Sequence, residues 1–492
     1  MGKGLRKSLF WQLYNVLGLA VIQLAYYAVL ARILDPRDFG LMAIANSFVN
    51  FAQLFSQIGM GPALIQHRDP SARHISTSFY VNLGVGGVLY AATALGSVGI
   101  AHFFDSPELG SILPILCLSF ILSAAASSSM SLIQRAMDFK YLFWVENLSH
   151  LAGMGVGVVT ALTGSGVWSL VYGTLVYQFI QLVIVLRRTP LRLGAGFGQA
   201  EFRELFHFGA GLTLIRINNY LTNSGLNLLL GKLMPLNLLG VFERSFRIMM
   251  IPGKMLGDVI DKVMFPAMSR IQDENERLVG MYERNLSYSL LLTLPISVWL
   301  AIHAEPVVLL LLGTEWTEAI PVLGILFLAI PFRVCIRLTD SIIRAKGLVY
   351  RSALQKFLYT VVLFAALFWT ARLGLEAVAW TILATSVFQF FNMSALAIRR
   401  VGMDWAVQYR PFLPSLPLMA VFAASGLLMQ YGLPGSGLWR GMLAAALSLL
   451  LSAVVVLLLY RVAPRWLGEP ACDILNRLAK LIRKKTGIRI KP

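Results

Sequence analysis

Charge is scarce in this chain of 492 residues: Asp, Glu, Lys and Arg together make up 13% of it, while 57% is apolar. A soluble domain carries about 25% charged residues, so this deficit, with a mean hydropathy of +0.70, excludes a soluble enzyme and describes a chain whose solvent is mostly lipid. Cysteine is scarcer still. Cys117, Cys335 and Cys472 stand far apart with no CxxC pair, which excludes a disulfide framework and a cysteine metal site. No GxxxxGK[ST] stretch is present, so the chain has no phosphate loop of its own with which to hydrolyse ATP. The six histidines (His67, His74, His102, His150, His207 and His303) fall mostly in loops or at the ends of apolar runs, without HExxH spacing. No metal and no other cofactor is expected from them.

What is abundant is apolar sequence of spanning length. Such runs recur at about 8–30, 39–58, 76–101, 111–133, 146–163, 166–186, 208–230, 238–260, 286–311, 320–341, 354–372, 375–397, 411–430 and 438–460. The first follows a basic GKGLRK start and is too long for a signal-peptide core, so it is taken as a membrane helix. The expectation is an all-α polytopic membrane protein of about fourteen spans. With the N-terminus placed in the cytoplasm, loops on that side hold 31 Lys and Arg and the opposite loops hold 5. Such a bias is what the positive-inside rule demands, and a miscounted span would scramble it. Both termini are therefore expected inside a bacterial inner membrane. Most of the net charge of +18 is explained by orientation, and nucleic acid needs no part in it. A tail over 461–492 sets Ile474, Leu475, Leu478, Leu481 and Ile482 opposite Arg477, Lys480, Arg483, Lys484 and Lys485, which suits the anionic lipids of the inner leaflet.

An internal repeat organises the spans. ARILDPRDFGLMAIANSF, around the first outward loop, aligns with GKLMPLNLLGVFERSFRI 200 residues later and pairs Gly40 with Gly240. Pro62-Ala63 matches Pro266-Ala267, Arg135-Ala136 matches Arg344-Ala345, and Gly166 matches Gly374, all at nearly constant offset. Two six-span lobes follow, 1–190 and 191–400, with two further spans over 401–460. Six is even, so the lobes share one orientation and their pseudosymmetry axis runs along the membrane normal, with a substrate cavity expected between them.

The basic N-terminus, RILDPRDFGLMA, the GPALIQ turn after span 2, the QRAMDF loop after span 4 and the FPAMSRIQDE loop after span 8 resemble the Wzx-type polysaccharide flippases. These belong to the multidrug, oligosaccharidyl-lipid and polysaccharide exporter superfamily, and the chain is similar to its colanic-acid-exporter-like branch. The resemblance implies alternating access, an undecaprenyl-pyrophosphate-linked oligosaccharide repeat unit as cargo, and a place in surface or exopolysaccharide synthesis beside a polymerase and other assembly proteins. A monomer is expected.

Six bases lie within spans clear of their ends, all in the second lobe: Arg216, Arg244, Arg247, Lys254, Arg333 and Arg337. Each would cost about 2.5–3.5 kcal/mol facing lipid at a helix centre, so they must face protein or water. Spacing offers partners to some, with Glu243 before Arg247, Lys254 before Asp258 and Arg337 before Asp340. Arg216, Arg244 and Arg333 have no acid at helical spacing. The excess of bases suits a pyrophosphate, whose several acceptors fit the guanidinium fork. Glu243 and Asp340 are the acids on which an ion could couple. Neutral amides form a second set: Gln12 and Asn15 in span 1, Asn46, Asn50 and Gln53 in span 2, and Tyr220, Asn223 and Asn227 in span 7. Amides are both donor and acceptor and suit sugar hydroxyls, although hydrogen bonding between helices explains them equally well.

Two other classes compete with a flippase. A drug or cation antiporter of the same superfamily would want unpaired acids, and here the unpaired charges are basic. A membrane polymerase or ligase of lipid-linked sugars would need acid/base or metal-binding groups at the outer face, where the loops are short and hold only scattered acids such as Asp35, Asp38, Asp105 and Glu108.

Overall fold

The computed structural model describes residues 18, 22–56, 60–67, 69–189, 193–205, 218–434, 437–462, 470–473 and 476. Every regular element among them is helical. Among the described residues, ten helices are long and apolar enough to cross a membrane, and a shorter apolar helix, α1, covers Ile22–Ala31. Among the sequence-predicted spans, the second and eighth are the helices α2 (Pro36–Ser56) and α11 (Leu236–Ser269). The first and seventh lie partly outside the described residues, as do Gln12, Asn15, Arg216 and the basic tail. The chain divides into two compact units, Met1–Arg244 and Ser245–Pro492.

In the first unit, α3 (Met60–Gln66) leads into α4 (Ala72–Phe103), whose start is capped by Ser71 accepting the His74 N–H. That cap supplies one of the acceptors a helix N-terminus lacks. The next span is broken into α5 (Glu108–Leu116) and α6 (Leu118–Arg135), with Pro114 inside the first piece. Proline removes an N–H from the helix ladder and crowds the preceding turn, so a break here has a local cause. The serine-rich face of α6 packs on α3 and α4, with Ser128 Oγ 3.1 Å from Ser78 Oγ. Small side chains allow that approach. The antiparallel pair α7 (Phe139–Leu162) and α8 (Trp168–Arg188) follows, then α9 over 199–205. A π-turn, Leu221–Gly225, opens into α10 (Leu226–Leu233).

Two glycines aligned by the expected repeat meet in the packing of this unit. A Cβ on Gly40 would collide with the Leu236 carbonyl, and a Cβ on Gly240 with the Pro36 carbonyl. Each residue of one contact lies 200 positions from its counterpart in the other, so α2 and α11 cross by a reciprocal pair of glycine-to-backbone contacts. No side chain fits at that crossing, which explains why glycine stands at both places.

The second unit continues with α12 (Asn275–Ile302), α13 (Ala304–Leu311), α14 (Ala319–Phe327), α15 (Ile330–Ala345), α16 (Val349–Thr370) and α17 (Leu375–Ala397). The span formed by α14 and α15 is broken just before Pro331, as the corresponding span of the first repeat is broken after Pro114. The short α18 (Ala406–Tyr409) precedes α19 (Ser415–Gly432) and α20 (Leu438–Val462). At the core of this unit the Tyr282 hydroxyl is buried and satisfied, donating to Gln408 Oε1 at 2.9 Å and lying 2.8 Å from Thr339 Oγ1.

Candidate functional site

The charged face of α15 is built by 4-3-4 spacing of Arg333, Arg337, Asp340 and Arg344, while Val334, Cys335, Leu338, Ile342 and Ile343 point into the core. Arg333 lies 5.4 Å from the centre of the Phe246 ring and makes no ion pair among the described residues. Its guanidinium is held by the ring face, an attraction that leaves its hydrogen-bond donors available. Arg337 packs against Gly257 of α11, where any Cβ would occupy the space of its guanidinium. Asp340 is the ionic hub. Its carboxylate takes salt bridges from Arg344 at 3.1 Å and Lys356 at 2.8 Å and a hydrogen bond from Ser352. The spacing rule assigned Asp340 to Arg337, but the carboxylate goes to the next turn and to α16. Lys356, near the start of the predicted span 354–372 and not among the six intramembrane bases, sits two turns into α16 and reaches across to α15. One acid therefore meets two cations here, with Arg333 and Arg337 on the same helix face. Arg247 and Lys254 on α11 are exposed, and the side chain of Asp258, expected to pair with Lys254, lies outside the described residues.

Arg244 corrects the expectation of an unpaired cation. Its Nη2 is 2.6 Å from Glu243 Oε2, and both side chains are 6% exposed. Neighbours on a helix do not normally face one another. Here the guanidinium is drawn back by two rings, lying 4.3 Å from the centre of Tyr27 and 4.4 Å from that of Phe39. Glu243, which spacing assigned to Arg247, is thus engaged with its chain neighbour inside an aromatic clamp.

Part of the amide set bonds helix to helix. Asn50 Nδ2 donates to Ser224 Oγ at 3.1 Å, Ser47 Oγ to the Ser224 carbonyl at 3.0 Å, and Tyr220 Oη to the Ser47 carbonyl at 3.1 Å. Ser224 lies in the π-turn, which loosens the regular carbonyl ladder, and Ser47 satisfies the released oxygen. Asn223 is exposed and donates to the Asn219 carbonyl at 2.7 Å, while Asn46 and Asn227 are half-buried. The Gln53 side chain lies outside the described residues.

Two features escaped sequence reasoning. A polar cavity of ≈120 Å³ in the first unit is lined by Gln23, Tyr26, His150, Thr174 and Tyr177, with the His150 and Tyr177 rings stacked at 4.2 Å and Gln181 donating to the Tyr177 hydroxyl at 3.1 Å. The only sequence signal was the i, i+4 pairing of Glu146 with His150 and of Tyr177 with Gln181. At the end of this unit assigned to the outside, Lys232 Nζ donates to Asp105 at 2.9 Å and holds that carboxyl below the usual carboxylate range.

Buried ionic groups on paired, broken apolar helices define a polytopic all-α membrane protein. Its fold is that of "Lipid II flippase MurJ, inward closed conformation", at a TM-score of 0.70 and 11% identity, covering 92% of this chain and 99% of that one. Residues 29–321 match the family described as "Polysaccharide biosynthesis protein", and the chain belongs to that family. Among its relatives, "Lipopolysaccharide biosynthesis protein WzxC" of Escherichia coli (strain K12) is 28% identical over 313 residues, which span 63% of each chain. "Succinoglycan biosynthesis transport protein ExoT" of Rhizobium meliloti (strain 1021) is 25% identical over 330 residues, 66% of each. The chain thus aligns with just under two thirds of the length of these relatives.

Proposed function

We propose that this protein is a flippase that carries lipid-linked oligosaccharide repeat units, assembled on undecaprenyl pyrophosphate, from the inner to the outer leaflet of a bacterial inner membrane. The observation that carries this reading is family membership over 29–321, in a chain whose relatives are named for lipopolysaccharide biosynthesis and succinoglycan transport. The fold shared with a lipid II flippase supports it. The protein is a transporter rather than an enzyme, with both termini inside and the repeat units 1–190 and 191–400 as its lobes.

In this proposal Arg333 and Arg337, with the Asp340, Arg344 and Lys356 cluster beside them, meet the pyrophosphate, since α15 carries more cations than acids and Arg333 keeps its donors available. Arg216, Arg247 and Lys254 are further candidates, and Asp340 is the acid on which an ion would couple. Arg244 and Glu243 belong to the sealed clamp and act in support. Sugar contacts fall to Asn46, Asn223 and Asn227, with Gln12, Asn15 and Gln53. Anionic inner-leaflet lipids and polysaccharide-assembly proteins are the proposed partners.

Depletion of the protein traps lipid-linked oligosaccharide on the cytoplasmic leaflet, which leaflet-resolved labelling of the glycolipid detects. Outer-leaflet labelling that survives depletion would remove the flippase reading.

A further inference from the structure

Three side chains outside the proposed transport path meet at the end of the first unit that the charge bias assigns to the inside. His67 follows α3, His74 lies in the first turn of α4, and Glu204 lies in α9. His67 Nε2 is 3.0 Å from Glu204 Oε1, and His74 Nε2 is 3.3 Å from Glu204 Oε2. The ring centres are 4.5 Å apart, and one ligand-type atom from each residue falls within 4.8 Å of the others. Tetrahedral zinc with bonds of about 2.0–2.1 Å places its ligand atoms about 3.3 Å from one another. The two separations from Glu204, 3.0 and 3.3 Å, are therefore near those of a coordination sphere.

The three groups are also held from behind. Arg135 Nη1 donates to the carbonyls of Leu64 and His67, fixing the turn that carries His67. Ser71 Oγ lies 2.8 Å from His74 Nδ1, the support that a metal-bound imidazole uses to keep its orientation. The Asp69 N–H donates to His67 Nδ1 at 3.2 Å, so His67 Nε2 carries the proton that meets Glu204. Hydrogen bonds from His74 and His67 hold the Glu204 carboxyl below its usual value.

We propose that His67, His74 and Glu204 form a divalent transition-metal site of two imidazoles and one carboxylate, taking Zn²⁺ and leaving one position to water. The arriving ion replaces the hydrogen bonds to Glu204. At each imidazole the proton moves from Nε2 to Nδ1; His74 then donates it to Ser71 Oγ, and at His67 the Asp69 contact is exchanged for solvent. Nitrogen donors select zinc and its neighbours over Mg²⁺, which prefers oxygen. Once bound, the ion ties α9 to the α3–α4 turn within the same unit.

The site was hidden from sequence reasoning because His67 and His74 are separated by a turn and Glu204 is 130 residues from His74. The test uses the full chain, purified in detergent on a tag without histidine, stripped with EDTA and titrated with Zn²⁺ by calorimetry and with Co²⁺ by visible absorbance. We expect saturable binding of one ion per chain, a tetrahedral Co²⁺ band, and no response to Mg²⁺. His74→Ala and Glu204→Gln should each weaken binding by at least about tenfold, and the double variant His67→Ala/His74→Ala should abolish it. His102→Ala should bind as the unaltered chain does. Absence of Zn²⁺ binding, or binding undiminished in the double variant, would overturn the proposal without touching the flippase reading.

Discussion

The two units treat a buried cation in opposite ways. In the first, Arg244 is neutralised by one acid and closed between two rings. In the second, Arg344 and Lys356 both meet the carboxylate of Asp340, on a helix face that also carries Arg333 and Arg337. A charge held against an acid inside an aromatic clamp, with both side chains 6% exposed, is a structural element, because it is closed off from any ligand. One acid shared by two cations, beside an Arg333 that makes no ion pair among the described residues, is an attraction for an anion that arrives from outside. Counting charges in the sequence found both sets, but only the packing separates them.

The largest effect that would break this contrast is at the clamp. Arg244→Ala leaves Glu243 buried without its partner, a loss of about 3–5 kcal/mol, and abundance in the membrane should fall accordingly. The double variant Glu243→Gln/Arg244→Met removes both charges and should recover most of that abundance, since a buried pair replaced as a whole is often nearly neutral. Failure of the double variant to recover would place Arg244 among the functional cations.

The next effect is at the glycines. Gly240→Ala drives a methyl into the Pro36 carbonyl, and overpacking against backbone costs about 1–3 kcal/mol. Thermal stability in detergent should drop. Gly257→Ala in the second unit instead meets the movable side chain of Arg337. Stability there should change less than in Gly240→Ala, while export falls because Arg337 is displaced.

Arg333→Ala should alter stability little, since its contact with Phe246 is a ring contact worth about 0.5–1 kcal/mol at an open site. Its loss removes charged hydrogen bonds to cargo worth about 1.5–3 kcal/mol, and export should fall by about 10- to 100-fold. Abundance and export measured together on this variant and on Arg244→Ala give opposite patterns if the contrast holds.

The smallest effect concerns the exposed Lys232–Asp105 pair. Its hydrogen bond lowers the Asp105 pKa, so the stability it adds is present above the ordinary carboxylate value of about 3.9 and is lost as pH falls through the lower, folded-state value. Unfolding curves of Asp105→Asn and the unaltered chain should therefore converge at acid pH and at high salt, and differ only slightly at neutral pH.

Much of the fold was legible because lipid leaves few choices. Apolar runs about 20 residues long must be helices, and the offset of 200 aligned Gly40 with Gly240 as equivalent positions, although it did not foretell that the two lie at one crossing. Ionic partners were not legible. Helical spacing offered Arg244 no acid, whereas Tyr27 and Phe39, some 200 residues away, hold it beside Glu243, and spacing assigned Asp340 to Arg337, whereas α16 supplies Lys356 to it. Such choices depend on side chains that approach from other helices, and a one-dimensional pattern carries no record of them. The same reason hid the stacked His150 and Tyr177 rings, which come from α7 and α8.

The central claim is that the chain moves a pyrophosphate-linked saccharide lipid across a bilayer and that Arg333 helps to hold it. It is tested most directly by reconstituting the purified protein in liposomes loaded with such a lipid and following the rate at which the inner-leaflet pool becomes accessible to an impermeant reagent. The account predicts that the unaltered chain accelerates exposure over protein-free vesicles, and that Arg333→Ala, incorporated to the same level, loses most of that acceleration. A rate equal to that of empty vesicles would contradict the flippase reading. Full acceleration by Arg333→Ala would contradict the role given to the cations of α15.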